Sequence, residues 1–224
     1  MQEIPSDPNA VIEDLLSERS LWTIYRTSRA IPFSKINNAV GGVFGLLAGI
    51  QTSIMKSEDA LKQLSSLSTL VFNSTISLLG FLLAGFTFFA TVADKRLFCQ
   101  MAIEQHESGL SFLKYNLFLF MRVFVEFLVV CIFSLLLIVF LGDGAGIRVS
   151  VADLEKVGSV KSEPLIALII VFVGLLVGAF AYLLMQLKSF IFNIHHVVMT
   201  SIAWEIRRLA EEKKASSDQD LDKQ

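Results

Sequence analysis

The chain of 224 residues is 54% hydrophobic and only 18% charged, with a mean hydropathy of +0.62, whereas soluble domains carry about 25% charged residues. That balance excludes an ordinary soluble enzyme and points to lipid as the solvent. A formal net charge of -2 argues against a general binder of nucleic acid or other polyanions, so no direct nucleic-acid partner is expected.

The first 35 residues include Glu3, Asp7, Glu13, Asp14 and Glu18. They lack the basic start and early apolar core of a secretory signal, so targeting is expected to come from the first crossing. Residues from about Asp7 to Tyr25 read as an amphipathic helix. Asp7 can cap it, Pro8 suits its first position, and Val11, Leu15, Trp22 and Tyr25 share a face. Trp22 and Tyr25 suit a membrane interface.

Four segments are long and apolar enough to cross a hydrocarbon core of about 30 Å, which takes about 20 helical residues. They run over about 36–55, 67–92, 117–141 and 165–187, the first being weakest because it is rich in glycine. Pro164 suits the first turn of the fourth, with Ser162 or Glu163 to cap it. Between the third and fourth, Gly142, Gly144 and Gly146 precede the alternation Ile147, Val149, Val151, which reads as one short strand or an extended loop. After the fourth crossing, Leu187, Ile191, Ile194, Val198, Ile202, Ile206 and Leu209 recur at three- and four-residue steps. This predicts an amphipathic extension whose stripe meets the same assembly or a separate cytoplasmic partner. The last residues, Ala215 to Gln224, are polar and expected to be disordered. The fold class is therefore an all-α membrane protein of four crossings, with an N-terminal amphipathic helix (1–35) and a cytoplasmic extension (188–224).

Lys and Arg set the orientation. One side would hold Arg19, Arg26, Arg29, Lys35, Lys95, Arg96, Lys114, Lys188, Arg207, Arg208, Lys213, Lys214 and Lys223. The other would hold Lys56, Lys62, Arg148, Lys156 and Lys161. The richer side is cytoplasmic, which places both termini inside an inner (plasma) membrane.

Gly41, Gly45 and Gly49 lie at four-residue steps, Gly174 and Gly178 form a second such pair, and Gly80 with Ala84 a third. In lipid, close backbone approach over small residues drives helix association. These faces can pack within one bundle or between subunits, so a homo-oligomer, with a tetramer among the arrangements, stays open. Arg122 and Glu126 stand one turn apart near the cytoplasmic end of the third crossing. Charges in an apolar run are costly. The pair reads either as an interfacial ion pair that fixes helix depth, with Arg122 snorkelling, or as a gate. Asn73, Ser74, Thr75, Ser77 and Gln51 are candidates for hydrogen bonds between helices.

Neighbouring His195 and His196 point about 100° apart on a helix and cannot chelate one ion. His106 stands in a polar loop, and Cys99 and Cys131 lack metal spacing. No nucleophile triad, phosphate loop or metalloprotease helix is present, so no metal, cofactor or catalytic residue is expected and the chain reads as non-enzymatic. Transporters bring more helices, repeats and a polar midplane site.

The compact size, the cytoplasmic termini, the second helix STISLLGFLLAGFTFFATVADKRLF, the cytoplasmic segment after it and the long fourth helix resemble the small four-helix membrane subunit (KwaA-like) of the bacterial Kiwa phage-defence system. The resemblance covers the general plan of most of the chain and carries no residue-level roles. It implies an inner-membrane oligomer that senses phage attack and works with a soluble DNA-binding effector. The functional expectation is an oligomeric membrane sensor or anchor that signals to a cytoplasmic partner. The alternative is a small oligomeric channel or pore with Arg122 and Glu126 at its gate.

Overall fold

The computed structural model describes residues 8–18, 20–29, 31, 34–92, 95–106, 108–141 and 162–221. The Asp7 cap and the glycine-rich loop after 141 lie outside them. Among the described residues seven helices follow in chain order: α1 (Pro8–Leu15), α2 (Leu21–Ser28), α3 (Lys35–Ser53), α4 (Ser57–Val92), α5 (Lys95–Ile103), α6 (Phe112–Leu141) and α7 (Ser162–Leu221). Among the described residues the only β pairing is an isolated bridge between Gln105 and Ser111.

The expected N-terminal helix is two helices. Ser17 donates its hydroxyl to the Asp14 carbonyl at 2.7 Å as α1 ends, and Ser20 restarts the chain by accepting from the Thr23 N–H at 3.2 Å. A side chain that satisfies an end carbonyl and another that caps a new start compete with continuation. The hairpin between α3 and α4 is also tighter than expected. α4 begins at Ser57, about ten residues early, with Glu58 and Asp59 in its first turn, where carboxylates offset the positive end of the helix dipole. Gly109, at φ 82°, turns the chain between α5 and α6. Ser111 then caps α6 by accepting from the Lys114 N–H at 3.3 Å.

α4, α6 and α7 are long and apolar enough to cross a membrane over Ser57–Thr87, Phe112–Leu141 and Glu163–Glu211. The molecule is thus an all-α membrane-type protein with three such helices, where the sequence reading expected four. α3 falls short because Asn37, Asn38, Gln51 and four glycines dilute its 19 residues. Large apolar side chains stand exposed on all four, among them Leu46 (69%) on α3, Phe81 (58%) on α4, Phe140 (59%) on α6 and Val171 (60%) on α7. Such a surface is stable in hydrocarbon and not in water.

The chain divides between Gln186 and Leu187 into two units. In the first, Ala60, Leu64 and Val71 of α4 meet Leu137 of α6 and Ile169, Val173 and Leu176 of α7 in one apolar core, with Ala48 of α3 against it. Ala60, Leu64, Ser68, Val71, Thr75 and Leu82 form the buried face of α4, at the three-, four- and seven-residue steps of a packed helix. α2 and α5 pack against α6. The second unit is the continuation of α7, which remains helical to Leu221. Residues 215–221, expected to be disordered, are helical, continuing a run of good helix formers from Leu209 through Glu211, Glu212, Lys213 and Lys214.

Candidate functional site

Arg122 is 2% exposed and sits at the centre of a polar network among α3, α6 and α7. Its Nε donates to Glu126 Oε1 at 3.2 Å, one helical turn on. One terminal nitrogen of the same guanidinium donates to the Ile31 carbonyl at 2.9 Å, so the segment leading into α3 is tied to α6. Glu126 also accepts from the Tyr182 hydroxyl at 3.3 Å and, through Oε2, from Gln186 Nε2 at 3.2 Å. Gln186 Nε2 donates as well to Tyr182 Oη at 2.6 Å, and Gln186 Oε1 accepts from buried Asn37 Nδ2 at 3.1 Å. The carboxylate thus receives three donors, and the guanidinium's partners include the Glu126 carboxylate and the Ile31 carbonyl. A buried ion pair persists when its remaining hydrogen-bonding capacity is filled in this way.

The network lies at the edge of the apolar layer. Counting back from Leu141 at 1.5 Å per residue, a core of about 30 Å ends near Arg122. Counting forward from Ser162, it ends near Tyr182. Both helices bring their polar groups to the same level.

Beyond that boundary lies a second buried cation. Lys114, with a side chain 5% exposed, pairs with Asp14 at 2.9 Å and Glu18 at 3.2 Å, and donates to Ser17 Oγ at 3.2 Å. Two cations on α6 therefore grip the N-terminal segment, one at the end of α1 and one at Ile31. Near Lys114, His106 is a structural residue. Its Nδ1 accepts from the Ser108 N–H at 3.1 Å, and its ring stacks on Tyr115 at 4.0 Å.

The glycines resolve into one seam and one outlier. A Cβ on Gly41 would come within 2.9 Å of the Gly178 carbonyl oxygen, and one on Gly45 within 2.7 Å of that of Gly174. Reciprocally, Gly174 and Gly178 would meet the carbonyls of Gly45 and Gly41 at 3.0 and 2.8 Å. The pairing runs antiparallel, ending where Gly49 faces Ile170. These two faces pack within the chain, by the close backbone approach that only glycine permits. Gly80 has no packing neighbour within the chain: nothing lies within 4 Å of a Cβ built there. It sits off the buried face of α4.

On the α7 continuation, Ile191, Val198, Ile202, Ile206 and Leu209 are 41–62% exposed and Ile194 is half-buried. His195 and His196 are exposed. Of the polar residues expected to bond between helices, Ser77 instead donates to the Asn73 carbonyl of its own helix, and the buried Thr75 hydroxyl has no partner. Groups that do cross between helices, among them Asn37, Tyr182, Gln186 and the Thr52–Gln63 pair, were not singled out from sequence. Their signal was present: Tyr182 and Gln186 stand at i,i+4 within the fourth apolar segment, and Asn37 at the head of the first. Cys99 is exposed and Cys131 buried, both as free thiols. Comparison with family models, with curated proteins and with solved structures gives no match for this chain.

Proposed function

We propose that this protein is a non-enzymatic, oligomeric sensor or anchor of the inner membrane. It crosses the bilayer four times, keeps both termini in the cytoplasm and signals to a soluble partner there. The observation that carries the reading is the junction of the α3–α7 glycine seam with the Arg122–Glu126–Gln186–Asn37 network. A change in how α3 and α7 pack alters, at the membrane boundary, the bonds that hold α6 and the N-terminal segment. Interfaces of this kind respond in discrete steps because a packed seam has few alternative registers.

The fourth crossing is supported by the seam. α3 runs antiparallel to α7, residue against residue from Gly41 to Gly49, alongside a stretch of α7 that lies within its apolar span. Its outward side chains Val43, Phe44, Leu46 and Leu47 are exposed. Its low hydropathy is offset on the face toward α7, where the glycine backbone is shielded and Asn37 is hydrogen-bonded to Gln186. Oligomerisation is supported by the outward-facing Gly80 and Ala84 of α4, a small-residue face left open within the chain. A soluble partner is supported by the exposed apolar stripe from Ile191 to Leu209. The resemblance to the Kiwa membrane subunit would make the stimulus a phage-induced disturbance of the envelope and the partner a DNA-binding effector.

The test is co-purification of the detergent-extracted protein with the soluble protein encoded beside it. The wild type is expected to retain that protein. Ile202→Glu/Ile206→Glu is expected to insert normally but lose it. An unaltered complex in the variant, or no complex in the wild type together with unitary conductance in planar bilayers, would contradict the sensor and favour a pore.

A further inference from the structure

The outward face of α2 and the first turn of α3 carry groups that neither the seam nor the network uses. α2 buries Ser28 and half-buries Ile24 and Thr27, on the helix that packs against α6. At about 100° per residue the other side presents Trp22, Arg26 and Arg29, with half-buried Tyr25 and exposed Leu21 nearer the packed face. Leu21 is 56% and Trp22 73% exposed, the indole standing 6.1 Å from the Tyr25 ring. Arg26, Arg29 and Lys35 are exposed. None of the three makes a side-chain hydrogen bond or ion pair among the described residues. The carboxylates of Asp14 and Glu18 are already engaged by Lys114. α3 has no acidic residue in its first turn, so the positive end of its dipole adds to the field of Lys35.

Lys35 also heads the face of α3 that forms one wall of an open groove against α7. Asn38, Gly42, Gly45, Leu46 and Gly49 line that wall of a cavity of about 870 Å³, and Lys35 precedes them at helical spacing. The groove is apolar along its length, spans about 15 residues or roughly 22 Å of helix, and has a cation at the end nearest α2.

We infer that this face binds an anionic phospholipid, with its phosphate held by the cations Lys35, Arg29 and Arg26 and an acyl chain lying in the groove between α3 and α7. The inference rests on α3 crossing the bilayer, which puts Lys35 at headgroup level. Charge complementarity selects the ligand: three unpaired cations with no carboxylate among them attract a phosphate, and aromatic and aliphatic neighbours suit the interfacial zone. A free phosphate would leave the groove empty. A zwitterionic lipid would bring its own cation to the same place.

The experiment is native mass spectrometry of the full-length protein in detergent, titrated with phosphatidylglycerol or phosphatidylcholine of matched chains. The wild type is expected to retain phosphatidylglycerol at least tenfold better. Arg26→Gln/Arg29→Gln/Lys35→Gln is expected to lose that preference. Gly42→Leu adds bulk to the groove wall at a position where nothing lies within 4 Å of the Cβ, and is expected to weaken binding of both lipids at least fivefold. Glycerol phosphate should not compete. An equal preference in the triple-Gln variant, or competition by glycerol phosphate, would overturn the site. So would dimers lost in Gly42→Leu but indifferent to lipid, which would assign the groove to a second copy. Cysteine accessibility of the two ends of α3 in the same preparations separates failure of this site from failure of the four-crossing reading.

Discussion

A guanidinium taken out of water loses several kcal/mol of hydration unless its surroundings restore it. Arg122 recovers it from partners that include the Glu126 carboxylate and the Ile31 carbonyl, and Glu126 from three donors. Removing one partner strands the other, so Arg122→Ala and Glu126→Ala are each expected to cost about 3–5 kcal/mol. Arg122→Met/Glu126→Leu, which removes both charges and keeps the volume, should cost clearly less than the two single changes summed. Thermal unfolding in detergent reads all three, and a double-variant loss equal to the sum of the two single losses would show that the charges are not coupled. The glycines divide just as sharply. A methyl on Gly45 must displace backbone at 2.7 Å, so Gly45→Ala should destabilise by about 1–3 kcal/mol. Gly80→Ala should leave monomer stability unchanged, and Gly80→Leu should alter only the oligomer seen on native gels. The ion pair itself was legible in the sequence, because charge inside an apolar run is conspicuous. Its partners Asn37, Tyr182 and Gln186 were not, since they become neighbours only once α3 and α7 are docked on α6.

At the scale of elements, periodicity located every long helix but not every end. The C-terminal ends of α4 and α6 were readable from hydropathy. The start of α4 was not, because its first turns carry Lys62 and Gln63, which resemble a loop when only apolarity is counted. The break between α1 and α2 comes from serine hydroxyls at Ser17 and Ser20, a local competition that an apolar-face argument overlooks. Lys114 ties the end of α1 through Asp14, Ser17 and Glu18, and α1 also meets α5. Since Asp14 is 61% exposed, solvent screens part of that attraction. Lys114→Met is therefore expected to release α1 without disturbing the membrane helices. Glutamyl endopeptidase should cleave after Glu18 severalfold faster in the variant, at an unchanged unfolding temperature. An unchanged cleavage rate would mean that apolar contacts hold the segment instead.

For the whole molecule, composition alone identified lipid as the solvent, and the exposed apolar belts of α3, α4, α6 and α7 agree with it. The number of crossings depends on α3, whose polar and glycine content lowers its hydropathy while suiting it to the seam with α7. A hydropathy window averages all faces of a helix, whereas lipid meets only one of them. The decisive measurement uses single cysteines at Ser17 and Ser53, both exposed, in a Cys99→Ser/Cys131→Ser background. Intact spheroplasts are treated with a membrane-impermeant maleimide. The four-crossing account predicts labelling at position 53 and protection at position 17 until the membrane is opened. Labelling of both positions, or of neither, before opening would put the two ends of α3 on the same side and contradict it.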